Sequence, residues 1–274
     1  MAAPEVELAP HLPVARSTLP PRAVFITGAS SGIGAALARH YAAQGATLGL
    51  AARRLDALDA LVATLPGRHY LYPLDVANAS ALASAANDFI AHVGAPGIVI
   101  ANAGISVGTL TQEAADNQAF RRIMETNVLG MVHTFQPFIG AMERQGAGRL
   151  VGIASVAGIR GLPGAGAYSA SKAAVIAYLE SLRVELRSSG IKVVTIAPGY
   201  IRTPMTDANN YAMPFMLEAD EAARRFALAI ETGKRYTVIP WQMGIVARLM
   251  RLLPNCIFDR LAARAGRKPR NLPL

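Results

Sequence analysis

Residues 27–34 read Thr27-Gly28-Ala29-Ser30-Ser31-Gly32-Ile33-Gly34. The stretch follows a short apolar run at 23–27. It leads into Ile33, Leu37 and Tyr41, which recur every four residues as one face of a helix does. A glycine-rich turn between a strand and a helix gathers free N–H groups and the positive end of a helix around one point, which suits an anion. Gly28 permits the tight turn, and Gly32 and Gly34 let backbone and helix approach a pyrophosphate. The spacing is GxxxGxG, not GxGxxG, and the Gly-Lys-Ser/Thr of a P-loop is missing. The alternative is a glycine-rich turn with no ligand; its position between strand and helix favours the phosphate cradle.

Outward from this turn, strands and helices alternate. Short apolar runs at 23–27, 47–51, 70–73, 98–101, 150–154, 193–197 and 236–239 predict strands. Helical stretches fall at 55–65, 80–93, 112–144 (one long helix or two), 168–189 and 219–232. Seven strands with helical crossovers predict an α/β, Rossmann-like doubly wound fold. Its mostly parallel sheet is covered by helices on both faces and followed by a C-terminal helical tail. Such sheets bind ligands at the carboxyl ends of their strands. The expected organisation is a flexible leader at 1–21, a catalytic domain at 22–240 and a basic amphipathic segment at 241–274.

About twenty residues past the cradle, an acidic side chain would bind a ribose 2′-hydroxyl. The second strand instead ends Leu50-Ala51-Ala52-Arg53-Arg54. Two guanidinium groups suit a 2′-phosphate, so NADP(H) is expected over NAD(H), against the alternative of two solvated arginines.

Ser155 closes the fifth predicted strand, and Tyr168-Ser169-Ala170-Ser171-Lys172 opens the next helix. Tyr168 and Lys172 share a helix face at i and i+4. A phenol ordinarily titrates near ~10, too high for acid–base work at neutral pH, and a nearby ammonium would lower it. A lone YxxxK is common by chance; a serine after the preceding strand and a glycine cradle upstream make this one specific.

In combination and order these motifs resemble the short-chain dehydrogenase/reductase family in its single-domain, NADP-preferring form, over roughly 22–240. The matching segments are 27–34, Asp75-Val76, Asn102-Ala103-Gly104, Asn127, Ser155, Tyr168 with Lys172, and Pro198-Gly199 with Thr203. The resemblance implies that Asp75 binds the adenine amino group with Val76 beside the ring, and that Asn102, Ala103 and Gly104 steady the end of the fourth strand. It implies that Asn127 sits in a distorted helix beside Lys172. Pro198 and Gly199 would line the nicotinamide, and Ile201 and Thr203 would hold its carboxamide. Ser30, Ser31 and Ile33 would complete the cradle. Tyr168 would exchange a proton with the substrate oxygen, Ser155 would stabilise that oxygen, and Lys172 would tune Tyr168 and hold the ribose. Several NADP-preferring relatives carry a basic residue where this chain has Ser31, so the 2′-phosphate expectation rests on Arg53 and Arg54.

The segment after Thr203 is the family's usual substrate lid, and here it carries Met205, Met213, Phe215 and Met216. Soft apolar side chains and a small, glycine-rich loop at 158–166 suggest a hydrophobic ketone or alcohol; methionines at such spacing are also ordinary core. The family's pairing through its two long helices implies a homodimer or homotetramer.

The chain has 274 residues, of which 52% are hydrophobic and 16% charged, enough for one large domain. Its net charge of +9 is uneven: 234–274 carries nine basic residues against Asp259, and the first 233 residues carry 18 basic and 17 acidic. With no interleaved aromatic platform, nucleic-acid binding is not expected. Within the tail, Ile245, Leu249 and Leu252 share one helix side, with Arg248 and Arg251 elsewhere on its surface, and Pro254 breaks the helix. It reads either as a peripheral membrane anchor or as helices covering the domain and ending in a solvated basic tip. Glu5, Glu7, Pro4, Pro10 and Pro13 do not suit a secretory signal, and a single cysteine, Cys256, read as at least half-buried, fits a cytoplasmic protein. The five histidines show no metal-binding spacing, so no metal is expected.

Overall fold

A computed structural model describes residues 23–264 and 266–270; the leader expected at 1–21 lies outside the described residues. Seven parallel strands form one sheet in the order β3-β2-β1-β4-β5-β6-β7. They are β1 (Ala23–Thr27), β2 (Thr47–Ala52), β3 (His69–Pro73), β4 (Ile98–Ala101), β5 (Gly148–Ile153), β6 (Ile191–Pro198) and β7 (Tyr236–Ile239). All residues of β1 and β4 are buried, which is why these strands read as bare apolar runs with no polar face. Strand order reverses between β1 and β4, and the cradle turn leaves the sheet at this switch point.

The two faces of the sheet carry two cores, assigned by the period of two along each strand. On one face Val24, Ile26, Leu48, Leu50, Ile98 and Val151 pack with Leu37 and Tyr41 of α1 (Gly32–Ala43) and Phe226 and Ile230 of α8 (Ala219–Glu231). Leu58 and Leu61 of α2 (Leu55–Val62) join that face. On the other, Phe25, Val99, Leu150 and Val193 meet Leu82 and Phe89 of α3 (Ala79–Val93), Phe135 and Phe138 of α5 (Gly130–Gln145), and Val175, Leu179 and Leu182 of α6 (Gly166–Glu185). Phe25 centres an aromatic cluster, its ring centroid 4.8 Å from Phe138 and 5.5 Å from Phe89.

The long helical stretch at 112–144 divides into α4 (Asp116–Met124) and α5, joined by a π-helical turn at Glu125–Leu129. β5 starts earlier than its apolar run, because Gly148 and Arg149 already pair with Ile191 and Lys192. Arg149 escapes the pattern by reaching the Glu231 carbonyl, 3.1 Å away. The four-residue α7 (Pro204–Asp207) begins the segment expected to act as a lid.

After β7 come α9 (Trp241–Leu252) and α10 (Asn255–Ala262), separated at Pro254. α9 packs on β7 and on the 3-10 turn at Val156–Gly158, with Met243 against Gly199. Arg160 fixes the junction: it donates to the carbonyls of Met250 and Leu253, each at 3.1 Å, and stacks 4.0 Å over Phe258. Cys256 is exposed, not buried as its type suggests, since α10 buries none of its residues fully. No helix among the described residues is long and apolar enough to cross a membrane.

Candidate active site

The cradle is built by close approach. A Cβ on Gly34 would fall 2.1 Å from the Gly28 carbonyl oxygen, and Gly28 itself holds φ +66° with Ala103 packed against it. These two positions admit only glycine without backbone movement. Asn102 staples the turn to β4, donating to the carbonyls of Thr27 and Gly28, each at 3.1 Å. Helix α1 starts at Ser31 with no side-chain cap, so its first-turn N–H groups and its dipole remain available to an anion.

A cleft of about 330 Å³ opens above the carboxyl ends of the strands. Of the expected positions, Gly28, Ser30, Ser31, Gly32, Ile33, Arg53, Arg54, Asp75, Val76, Asn102, Ala103, Gly104, Ser155, Tyr168, Lys172, Pro198, Gly199, Ile201 and Thr203 all line it. Gly34 and Asn127 do not. Gly34 lies beneath the cradle, and Asn127 stands behind Lys172. Asp75 also accepts from the Ala77 amide at 3.0 Å, so it shapes a turn as well as facing the cleft. Arg53 and Arg54 are exposed and make no ion pair among the described residues. Of the four apolar lid side chains, only Met205 reaches the cleft, and Phe215 stands half exposed on the outside.

Ser155 follows β5 and caps the 3-10 turn, its hydroxyl accepting from Ala157 at 3.1 Å. The Tyr168 phenol, which extends from the first turn of α6, shares the cleft with it. Burial raises the Tyr168 pKa above its ordinary value, and the neighbouring Ser155 hydroxyl opposes that rise. Burial therefore outweighs the acidification expected of Lys172. The Lys172 ammonium lies 5.8 Å from the Tyr168 ring centroid and donates to the Ile153 carbonyl at 2.7 Å. Its own pKa falls to about 8 through desolvation. An amine of that kind gains from any anionic or hydroxyl partner brought into the cleft.

Asn127 occupies the π-helical turn, where the extra residue turns its side chain inward. Its amide clamps the backbone of Ile105, accepting from the N–H at 2.8 Å and donating to the carbonyl at 3.0 Å. It also donates to Ser171, whose hydroxyl in turn donates to the Tyr168 carbonyl. Ser171 was not singled out by sequence; it is fully buried and connects Asn127 to the first turn of α6. Leu74, Ile105 and Thr126 also line the cleft without a sequence signal of their own. Each is a neighbour in sequence of a motif residue.

The model of the short chain dehydrogenase family matches residues 22–213. An uncharacterized oxidoreductase of Myxococcus xanthus is 37% identical over 246 residues, spanning 89% of this chain and 97% of that protein. Among solved structures, a short-chain dehydrogenase from Streptomyces avermitilis aligns with a TM-score of 0.75 at 26% identity, over 89% of this chain and 95% of its own. Levodione reductase aligns with a TM-score of 0.73 at 26% identity, over 80% and 95%. The chain belongs to the short-chain dehydrogenase/reductase family and is an oxidoreductase with a Rossmann-like fold.

Proposed function

We propose that this protein is an NADP(H)-dependent oxidoreductase that interconverts a ketone and an alcohol on a hydrophobic substrate. The observation that carries the reading is one cleft in which a glycine cradle, two exposed arginines and the Ser155–Tyr168–Lys172 set converge. The cradle suits a pyrophosphate because the side-chain-uncapped start of α1 offers its N–H groups to the cleft, and Gly28 and Gly34 let the turn pack too closely for a Cβ at either position. Arg53 and Arg54 at the end of β2 would hold the 2′-phosphate, with Asp75 and Val76 at the adenine end. When bound, the dinucleotide supplies the hydride.

The remaining chemistry belongs to the chain. Ser155 and Tyr168 present two hydroxyls to one substrate oxygen. Tyr168 donates its proton to that oxygen as negative charge develops, and accepts it back in the reverse direction. Lys172 brings a positive charge beside the buried phenol, which would favour the phenolate as it forms, and a cofactor ribose would give its ammonium a hydroxyl partner. Asn127 and Ser171 hold Ile105 and the first turn of α6, so the phenol keeps its position. The test is Tyr168→Phe, which removes one oxygen. NADPH absorbance followed across ketones of graded length should show turnover for the native protein and a loss of at least about 100-fold for the variant. Near-native turnover in the variant would defeat the assignment.

Two expectations about assembly have support of their own. Phe120, Leu129 and Val184 are exposed apolar residues on α4, the π-helical turn and α6, which favours a homodimer or homotetramer through those helices. On α9, Trp241, Ile245, Leu249 and Leu252 form an exposed stripe beside Arg248 and Arg251, which favours peripheral contact of a cytoplasmic protein with an anionic membrane. Light scattering and liposome flotation test the two separately.

A further inference from the structure

Beyond α10, residues 266–270 return to the carboxyl side of the sheet and cross three loops. The Gly108 amide donates to the Pro269 carbonyl at 2.8 Å. Gly108 has no room for a side chain there: a Cβ would fall 2.3 Å from the Lys268 carbonyl oxygen. Arg267 packs over Gly164, and Gly266 lies flat against the Tyr211 ring. Lys268 donates to the Met205 carbonyl at 3.2 Å. Arg270 closes the crossing with a fork on Asp116, Nε at 2.9 Å and Nη2 at 3.2 Å, and a second contact to Glu113 at 3.4 Å. Of the basic tip, Lys268 and Arg270 are thus tied down, while Arg264 and Arg267 stay exposed.

The three loops follow β4, β5 and β6, and each contributes to the cleft, through Ile105, Ser155 and Met205. Tyr211 stands close enough to Tyr168 for their charges to interact; burial first, then Tyr200 and Tyr168, push its pKa up to about 12. The segment that holds Tyr211 in place is therefore also the one that spans the substrate side.

We propose that residues 266–270 form the outer wall of the substrate lobe, and that Arg270 is a positioning residue that limits the girth of the ketone admitted. Latched on Asp116 and Glu113, the strap holds the Gly108 loop and Tyr211 against the opening over Tyr168. Slender ketones pass and bulky ones are rejected. The idea rests on the carbonyl-reduction reading above.

The experiment uses the full chain with Arg270→Ala, Arg270→Lys and Gly108→Ala. Hydrogen exchange at 107–110 reports docking of the strap without turnover, because the Gly108 amide is one of its hydrogen bonds. Steady-state kinetics then compare a slender 2-alkanone with a branched aryl ketone. Arg270→Ala and Gly108→Ala should expose the Gly108 amide and raise the bulky-to-slender ratio of kcat/KM about tenfold. The change should lie in KM, with kcat on the slender ketone and NADPH binding within about twofold of native. Arg270→Lys, which keeps the charge and loses the fork, should fall between. An unchanged ratio with an exposed Gly108 amide overturns the proposal, as does a native protein whose Gly108 amide exchanges freely. A native protein that binds NADPH but reduces neither ketone overturns the reaction instead. The wall is then decided by exchange: retained protection of 205–213 in Arg270→Ala overturns it, and lost protection supports it.

Discussion

Replacing Lys172 by Met should make the fold more stable and the site inactive. Lys172 is 4% exposed and has no carboxylate partner among the described residues; burial moves its pKa from 10.5 to about 8. That displacement corresponds to about 3 kcal/mol lost by holding the charged form in the folded state. Met keeps the length and the apolar stem but removes the hydrogen bond to Ile153, which returns about 1 kcal/mol of the gain. At pH 7 the lysine is protonated both folded and unfolded, so the native protein bears the whole penalty. As pH rises through about 8 the folded lysine loses its proton while the unfolded one keeps it to about 10.5, and the native protein recovers. The expected result is a variant about 2 kcal/mol more stable at pH 7, a melting temperature higher by about 4–8 °C, and an advantage that disappears by about pH 10. Melts of both proteins from pH 6 to pH 10, without cofactor, measure this. A variant less stable than native at pH 7, or a difference that does not shrink with pH, would refute the reasoning. NADPH oxidation by the same preparation should fall at least about 100-fold, since Tyr168 loses the cation beside it.

Three further outcomes follow from the geometry. Arg53→Ala should weaken NADPH about tenfold or more and leave NADH nearly unchanged, as read by quenching titrations; equal losses for both would remove the 2′-phosphate assignment. Gly34→Ala should abolish binding of both dinucleotides, because the added methyl meets the Gly28 carbonyl; calorimetry showing native affinity would sink the cradle. Asn127→Ala should lower kcat more than KM and speed exchange at the Ile105 amide, which loses its 2.8 Å partner. Slow exchange there would mean that the Ile105 backbone is not held by that side chain.

The sheet was legible because its parallel strands are short, largely apolar runs, and β1, β4 and β7 fall where theirs do. The cleft was legible because its residues follow strands and belong to short motifs. What the sequence hid was whatever depends on folding back across the chain. Ser171 is an ordinary small residue until Asn127 reaches it. The strap at 266–270 reads as a charged tip because Asp116 and Glu113, its partners, lie more than 150 positions away. The balance at Tyr168 was misjudged for a related reason: residue spacing reports a neighbouring cation but says nothing of how much water the phenol loses.

Arg160 gives the C-terminal helices a grip on the catalytic loop. A single guanidinium closes off α9, covers Phe258 of α10 and sits five residues past Ser155. Through that side chain the last turn of α9 and the short length of backbone after Ser155 share one anchor.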